Sequence, residues 1–247
     1  MAHSTKSRLD RALVERGLVP SRARAHDLIR RGLVEVAGKV ELKPGAGVAA
    51  GEAIGVSASD HVSRGAEKLI AALDHFGFPA KRVIALDVGA STGGFTQVLL
   101  ERGAARVYAA DVGRGQLHVR LAADARVVSL EGVDARRLDR DLVPEEAGAI
   151  VADVSFISLT KALPAALALA AAKAWLVVLI KPQFEAGRAA VGKGGIVRDA
   201  ADRARAVSLV RDWVAGQDGW RVCGVIPSPI TGGSGNEEFL LGAVRGK

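Results

Sequence analysis

The stretch Val83-Ile-Ala-Leu-Asp87 followed by Val88-Gly89-Ala90-Ser91-Thr92-Gly93-Gly94-Phe95 decides the fold of this chain. An apolar, β-branched run ends in a carboxylate and opens into a glycine-rich turn, and residues 96–102 then have the pattern of a helix. A nucleotide-type site at the edge of a parallel sheet begins with this order of strand, turn and helix. Glycines at 89 and 93 let the backbone turn sharply and approach a ligand without a Cβ in the way. An ordinary glycine turn is the alternative.

The spacing of the glycines and two carboxylates indicate which ligand to expect. The glycines do not follow G-x-G-x-x-G, so a dinucleotide is not the first choice. Asp87, which closes the strand, suits a ligand with a cationic amino group better than a pyrophosphate. The next short strand, residues 106–110, ends at Asp111, where an acidic residue of nucleotide-binding folds binds ribose hydroxyls. S-adenosylmethionine carries both groups, and we therefore expect it as the cofactor.

The composition is that of a globular protein with one full core and a small additional unit. The chain has 247 residues, of which 49% are hydrophobic and 25% are charged. Its single cysteine, Cys223, excludes an intrachain disulfide, and the polar, basic residues 1–10 do not have the pattern of a signal peptide. A cytoplasmic location is therefore expected. One cysteine and five scattered histidines offer no metal-ligand spacing, so we expect no metal.

One apolar segment, residues 162–180, imitates a membrane span. It contains Pro164 and Lys173, and a central lysine is costly in lipid. Its composition changes midway, from alanine and leucine to Trp-Leu-Val-Val-Leu-Ile, which indicates a buried helix followed by a buried parallel strand. We expect no membrane partner.

Residues 1–60 are predicted to form a separate basic module. The net charge is +7 and the isoelectric point about 9.9, which favours a polyanionic partner, and the positive excess is densest in this part of the chain. Helices are predicted over 8–16 and 22–31, and a hairpin over 33–42. Glycines from Gly45 to Gly55 lead into residues 57–60 and predict an interdomain linker.

Two helices followed by a hairpin, with arginines on the second helix, resemble the RNA-binding domain named after ribosomal small-subunit protein S4. The stretch from Ser21 to Val36 carries the resemblance. It implies phosphate contacts that provide affinity and orientation rather than sequence choice. A solvated helix face with ordinary charges is the alternative. The candidate RNA-binding residues are Arg8, Arg22, Arg30, Arg31, Lys43 and Arg64.

Residues 61–247 alternate between strand-like and helix-like segments. Together with the two strands above, the predicted strands make a seven-stranded, doubly wound α/β (Rossmann-like) sheet, whose ligand is expected at the carboxyl ends of the strands. The additional strands are predicted at 127–130, 149–151, 175–180, 221–226 and 239–244, and helices at about 158–172 and 199–215.

Four polar side chains fall at this predicted sheet edge and together suit methyl transfer to a ribose hydroxyl. Asp153 and Lys181 follow apolar strands, Glu238 precedes the last one, and Lys68 lies on the first helix of the unit. Such an enzyme must help to remove the hydroxyl proton and stabilise the oxyanion that develops. We assign Lys181 as base or oxyanion stabiliser, Asp153 as its orienting partner, and Lys68 with Glu238 as a flanking pair. Each alone could equally form a structural ion pair.

Four motifs, D-V-G-A-S-T-G-G-F-T, A-D-V-S-F-I-S-L, L-I-K-P-Q-F-E and S-G-N-E-E-F, resemble the TlyA group of rRNA cytidine 2′-O-methyltransferases, whose catalytic domain is of the FtsJ class. The resemblance covers essentially the whole chain. It implies S-adenosylmethionine as cofactor, ribosomal RNA in a subunit or its precursor as partner, and no obligate protein partner. It implies a catalytic tetrad of Lys68, Asp153, Lys181 and Glu238, with Glu237 as an alternative to the last. The candidate cofactor-binding residues are Asp87, Gly89, Ser91, Gly93, Asp111 and Asp134.

One departure from the family pattern and two alternative functions remain. Asp134 lies in Val133-Asp134-Ala135, where related sequences commonly read Asn-Val-Arg, so its contact with adenine is less certain. A pseudouridine synthase can carry the same RNA-binding module, and Arg137-Leu138-Asp139 imitates its catalytic triplet, but no Thr-Ser-Gly follows. Members of the group are often called haemolysins, and the remaining alternative is an RNA-binding protein without catalysis or a cytolytic haemolysin.

Overall fold

The computed structural model describes residues 6–30, 32–56, 61–232 and 235–246. The chain divides into two compact units, Met1–Asp60 and His61–Lys247. Two sequence-based predictions, the RNA contact of Arg31 and the linker at 57–60, lie outside the described residues.

In its described residues, the smaller unit contains two helices and five short strands around an apolar core. Ser21 Oγ accepts a hydrogen bond from Arg24 N (3.3 Å) and so begins the second helix as predicted. The predicted hairpin is confirmed, because Val36 pairs with Lys39 across the turn. Its elements are β1 (Ser7–Arg8), α1 (Leu9–Glu15), α2 (Arg22–Arg30), β2 (Val34–Val36), β3 (Lys39–Val40), β4 (Gly47–Val48) and β5 (Ile54–Val56).

The segment that was predicted to open the linker belongs to this unit. β4 pairs with β1, and β5 pairs with β2, so Gly47 and Gly55 are part of its sheets, and Gly45 and Gly51 lie in turns beside these strands. A Cβ on Gly47 would lie 3.2 Å from the Lys6 side chain, and one on Gly45 would lie 3.1 Å from the Arg8 guanidinium. Gly45 and Gly47 therefore make room for basic side chains. The sequence-based prediction interpreted this glycine-rich composition as part of a linker.

The larger unit contains the seven predicted strands. Its elements are α3 (Gly65–Phe76), β6 (Ile84–Val88), α4 (Gly94–Glu101), β7 (Arg106–Asp111), α5 (Val119–Ala122), β8 (Val127–Glu131), β9 (Ala147–Ala152), α6 (Leu159–Ala168), β10 (Ala170–Ile180), α7 (Pro182–Glu185), α8 (Ala200–Ala215), β11 (Trp220–Pro227) and β12 (Phe239–Arg245).

These strands form one sheet in the order β11-β12-β10-β9-β6-β7-β8. The five strands from β10 to β8 are parallel, and β12 is antiparallel to both of its neighbours, so the sheet is mixed. Apolar clusters cover both faces: α6 and α8 pack on one, and α3 and α4 on the other. The prediction of a doubly wound α/β sheet is confirmed.

The predicted helix over 158–172 is too long. α6 ends at Ala168, and β10 begins at Ala170, which pairs with Ala147 of β9. Alanine favours helices in isolation, but pairing with a neighbouring strand overrides that weak preference. The apolar segment is thus a helix followed by a strand, as the change of composition indicated. Among the described residues, no helix is both long and apolar enough to cross a membrane.

Candidate active site

Strand register brings the predicted tetrad to one edge of the sheet. Ile180, the last residue of β10, pairs with Phe239, the first residue of β12, so Lys181 and Glu238 follow and precede neighbouring strands. The carboxyl end of β9 places Asp153 at the same edge, with its backbone N–H donated to Val88 O of β6 (3.0 Å). Parallel strands present their carboxyl ends together, which is why residues far apart in sequence meet here.

The two glycines singled out in the turn have different roles. Gly89 has φ +83°, and a Cβ there would lie 2.6 Å from the carbonyl oxygen of Asp153, so only glycine allows this close approach beside the cavity. Gly93 has φ +95°, and its Cβ would instead meet side-chain atoms of Leu121 and Leu117 at 2.3 and 2.8 Å. Gly93 thus lets α4 pack against the next helix and does not line the main cavities.

Asp87 is fully buried at the end of β6, and neither cavity reaches it. Thr96 Oγ1 donates a hydrogen bond to its Oδ2 (2.7 Å), whereas its Oδ1 has no hydrogen-bond partner among the described residues. Burial raises the pKa of Asp87 to about 7, and the hydrogen bond from Thr96 opposes that rise. The structure therefore places Asp87 beneath the turn and not in the open site.

A cavity of about 1220 Å³ opens beside the turn and contains most of the other predicted cofactor-binding residues. Its wall includes Gly89, Ser91, Asp111 and Asp134. Asp111 accepts hydrogen bonds from Ser91 N (2.8 Å) and Gly113 N (2.7 Å), which fixes the carboxylate at the end of β7. Arg136 donates hydrogen bonds to Asp134 from its guanidinium and from its backbone N–H, and these lower the pKa of Asp134 to about 2. This carboxylate is therefore ionised near neutral pH.

One carboxylate that sequence reasoning missed shapes the same wall. Glu131 accepts three backbone hydrogen bonds, from Gly115 N (2.8 Å), Gln116 N (2.7 Å) and Leu117 N (3.0 Å). These bonds hold its pKa below the usual range. Glu131 thereby fixes the loop that follows Asp111. The loop reads only as a polar connection in the sequence, so no local pattern indicated this role.

The tetrad forms two lysine–carboxylate pairs. Lys181 Nζ lies 2.6 Å from Asp153 Oδ1 and donates a hydrogen bond to Ser155 Oγ (2.8 Å). Both residues line a smaller cavity of about 190 Å³, which shares Gly89, Ser91, Asp153 and Ser155 with the large one. The Lys181 amine thus lies where the two cavities meet.

The second pair is buried. Lys68 Nζ donates a hydrogen bond to Glu238 Oε2 (2.6 Å), and the two side chains are 9% and 3% exposed. A Cβ on Gly232 would lie 2.3 Å from Glu238 Oε1, so the glycine leaves space for this carboxylate. Glu237, the alternative, is exposed and pairs with Arg203 of α8 (3.2 Å). The geometry joins Glu238, not Glu237, to Lys68.

With this geometry in place, comparison with known proteins identifies the family. A family model described as FtsJ-like methyltransferase matches residues 61–245. The chain belongs to the FtsJ-like methyltransferase family. A second model, the S4 domain, matches residues 7–54. Both predicted resemblances are confirmed.

Similar proteins cover nearly the whole chain. The 16S/23S rRNA (cytidine-2′-O)-methyltransferase TlyA of Mycobacterium tuberculosis is 46% identical over 96% of this chain and 89% of its own length. Hemolysin A of Brachyspira hyodysenteriae is 41% identical over 94% of this chain and 98% of its own. A solved structure from Streptococcus thermophilus, named as a hemolysin, has a TM-score of 0.74 and 37% identity and covers 99% of this chain and 90% of its own.

Two aromatic side chains of the FtsJ-like domain were not predicted as site residues. Phe156 follows Asp153 in the loop after β9, has φ +64° and is 92% exposed. Its ring centroid lies 5.2 Å from that of Phe184, and both rings line the large cavity together with Lys161 and Arg188. An exposed phenylalanine with left-handed backbone is unusual, and the motif A-D-V-S-F-I-S-L was the only sequence signal for it.

The triplet that imitated a pseudouridine synthase is structural in the FtsJ-like domain. Leu138 is buried in the core, and Asp139 accepts hydrogen bonds from the backbone N–H groups of Asp141 (3.1 Å) and Leu142 (3.0 Å). Within the described residues, no group of three or more His, Cys, Asp or Glu side chains could hold a metal ion.

The predicted RNA-binding residues of the S4 domain fall into two sets. Arg8 and Arg22 both bind the carboxylate of Asp10, at 3.0 and 2.8 Å. Arg30, at the end of α2, and Lys43, after β3, are exposed. The remaining residue, Arg64, lies in the FtsJ-like unit directly before α3 and is half-buried.

Proposed function

We propose that this chain transfers a methyl group from S-adenosylmethionine to the ribose 2′-hydroxyl of a cytidine in ribosomal RNA. The observation that carries the proposal is the position of Lys181, whose amine lies beside Asp153 and Ser155 where the two cavities meet. The family match and the activity for which the Mycobacterium tuberculosis relative is named support the same reaction.

The residues of the large cavity fit S-adenosylmethionine. Because Gly89 has no Cβ, its backbone is open to the cavity. Asp111 and Asp134 are carboxylates held in place by hydrogen bonds from backbone or guanidinium groups. In our proposal Asp111 accepts hydrogen bonds from the ribose hydroxyls, Asp134 lies at the adenine end, and Ser91 lies between them. Burial raises the pKa of Asp87 to about 7, so its carboxyl can ionise below the turn near neutral pH, and the ionised form favours a cationic ligand above it.

Lys181 is the group that meets the 2′-oxygen in this proposal. The cofactor supplies a methyl group on a sulfonium, so the methyl donor needs no further activation by the protein. As a neutral amine, Lys181 takes the hydroxyl proton; as an ammonium ion, it stabilises the developing oxyanion. Asp153 and Ser155 fix the direction of the amine in both states. Lys68 and Glu238 flank this group from the neighbouring strand end.

The aromatic rim suits a nucleotide that has left its stack. Enzymes that modify nucleic acid commonly extrude the target nucleotide and stack its base on aromatic side chains. Phe156 presents an open ring face, and Phe184 supports it at 5.2 Å. Lys161 and Arg188 are exposed on the same cavity wall and suit the adjoining phosphates. We therefore infer that the cytidine base lies against Phe156 while its 2′-hydroxyl reaches Lys181.

We further propose a division of labour between the two units. Residues 1–60 act as an RNA-binding domain with its linker, through Arg8, Arg22, Arg30 and Lys43, and residues 61–247 act as the methyl-transfer domain, with Arg64 as a further RNA contact. The S4 family match supports the first assignment and the FtsJ match supports the second. Because ribosomal RNA is the proposed substrate, a cytoplasmic location is part of the same proposal.

Mapping of ribose methylation tests the function directly. Ribosomal RNA from a strain in which the gene is deleted is compared with RNA from the same strain carrying the wild-type gene or Lys181→Ala. We expect one or more cytidine 2′-O-methyl groups that only the wild-type gene restores. Identical methylation maps in all three strains would contradict the proposed function.

A further inference from the structure

A fully buried carboxylate lies beneath the basic surface of the S4 domain. Asp10, in the first turn of α1, is 0% exposed. Its oxygens accept hydrogen bonds from Arg8 (3.0 and 3.1 Å), Arg22 (2.8 Å), His26 Nε2 (2.7 Å) and the backbone N–H of Arg11 (3.0 Å). The hydrogen bonds from Arg8, Arg22 and His26 hold the pKa of Asp10 well below its usual range, so the carboxylate is ionised and only accepts.

The three partners come from two other elements and stay accessible. Arg8 ends β1, while Arg22 and His26 lie one turn apart on α2. Their side chains are 56%, 62% and 37% exposed, although each is fixed at one end by the same buried group. A single carboxylate thus orders three donor side chains on one side of the domain.

Such ordering matters for binding a polyanion. A free arginine loses side-chain entropy when it binds a phosphate, and a side chain that is already fixed loses less. A guanidinium has five N–H donors, so a contact with Asp10 leaves others for a phosphate. We propose that Asp10 is a positioning residue of the RNA site, which holds Arg8, Arg22 and His26 as one preformed cluster for RNA phosphates. This inference rests on the proposed RNA-binding function of the domain.

The proposal predicts an effect opposite in sign to that of charge alone. Asp10 is an anion close to a phosphate site, so simple electrostatics predicts that Asp10→Asn strengthens RNA binding. Positioning predicts the reverse, because an amide cannot accept the same set of hydrogen bonds and the arginines become free to move. The direction of the change therefore separates the two explanations.

The experiment measures the affinity of the full chain for deproteinised ribosomal RNA at several salt concentrations. For Asp10→Asn we expect a loss on the order of ten-fold at low salt. The dependence of affinity on salt should also become shallower, by about one phosphate contact or more. Glu15→Gln is the matched control, since Glu15 is an exposed carboxylate on the same helix that pairs only with Arg11 among the described residues, and it should bind like wild type. Unchanged or tighter binding of Asp10→Asn overturns the proposal.

Further variants at Arg8 and Arg22 keep the outcome decisive. Arg22→Lys keeps both Asp10 and the positive charge but loses the planar donor group, so positioning predicts a loss of RNA affinity close to that of Arg22→Ala. This test holds even if Asp10→Asn lowers the melting temperature of the domain. If Arg22→Lys binds like wild type, positioning is wrong. In the Arg8→Ala/Arg22→Ala background, Asp10→Asn should have no further effect. If Arg8→Ala/Arg22→Ala binds RNA like wild type, both the proposed RNA-binding surface and the positioning role are wrong. If Arg8→Ala/Arg22→Ala binds weakly but Asp10→Asn binds normally, only the positioning role is wrong.

Discussion

Two lysine–carboxylate pairs at one sheet edge have the same length and different surroundings. Lys68 and Glu238 are 2.6 Å apart, hydrogen-bonded, and nearly inaccessible to solvent. Lys181 and Asp153 are also 2.6 Å apart, but their side chains are 12% and 22% exposed, and Lys181 also donates a hydrogen bond to Ser155. The first pair lines neither of the two cavities, whereas Asp153 lines both and Lys181 lines the smaller one.

This difference in exposure indicates that the buried pair supports the fold and that the accessible pair takes part in the reaction. A buried ion pair has lost the solvation of both charges, so removing either partner leaves an uncompensated charge in the interior. A pair on the cavity wall can exchange its partner for a substrate atom at little cost. We therefore expect changes in the buried pair to affect folding first, and changes in the accessible pair to affect the rate of methyl transfer.

Lys181→Ala is the change with the largest expected effect. It removes both proton abstraction and oxyanion stabilisation, and the single-turnover rate of methyl transfer should fall by about 10²- to 10⁴-fold. S-adenosylmethionine and RNA should still bind, because neither proposed binding surface depends on this amine. Lys181→Arg is the control for charge and should also fail, since a guanidinium cannot give up a proton at working pH. A near wild-type rate for Lys181→Ala would show that positioning alone drives the reaction.

Lys68→Met tests the buried pair. Leaving Glu238 unpaired should lower the free energy of unfolding by about 3–5 kcal/mol. The three tryptophans, Trp175, Trp213 and Trp220, all lie in the larger unit, so their fluorescence in urea reports on that unit alone. The double variant Lys68→Met/Glu238→Leu should recover much of the loss, because no charge remains buried. If Lys68→Met unfolds like wild type but loses activity, Lys68 acts in the chemistry instead.

The sequence predicted the parts of this site that have local signatures. The strand, turn and helix around Asp87, the strand end at Asp111 and the presence of seven strands all follow from apolar runs and glycines. The pairing of Lys68 with Glu238, 170 positions away, rested on the resemblance to a family, because no local pattern records which strand ends become neighbours.

Other roles depend on tertiary contacts that no sequence pattern contains. Gly93 reads as a ligand-binding glycine but packs against Leu121. No sequence pattern marks Asp10 as buried, yet it is the buried partner of two arginines. The alanines after Leu169 favour a helix, yet they begin β10, because Ala170 pairs with Ala147 of β9 and Ala174 pairs with Arg245 of β12.

A third carboxylate at the same edge, Asp87, has no lysine partner among the described residues and sharpens the comparison. Burial raises its pKa to about 7 from an ordinary 3.8, so the folded protein binds a proton that the unfolded chain releases. The resulting stability is fully present below about pH 4 and is lost as the pH rises toward 7. Asp87→Asn keeps the acceptor for Thr96 and removes the titration, so its stability relative to wild type should rise by on the order of 2 kcal/mol between pH 5 and 7. Tryptophan-detected urea unfolding at both pH values measures this change, and parallel behaviour of the two proteins would mean that Asp87 does not titrate in this range.

Asp153→Asn has the smallest expected effect, and it decides what the accessible pair does. If the carboxylate only orients the lysine, an amide of the same shape can still receive one N–H, and Ser155 continues to hold the amine. We then expect the single-turnover rate to fall by about ten-fold, well short of the loss for Lys181→Ala. Ser155→Ala in the Asp153→Asn background removes the second support and should lower the rate further. If Asp153→Asn alone is as inactive as Lys181→Ala, the carboxylate takes part in proton transfer, and the division between a supporting and a reacting partner within this pair is wrong.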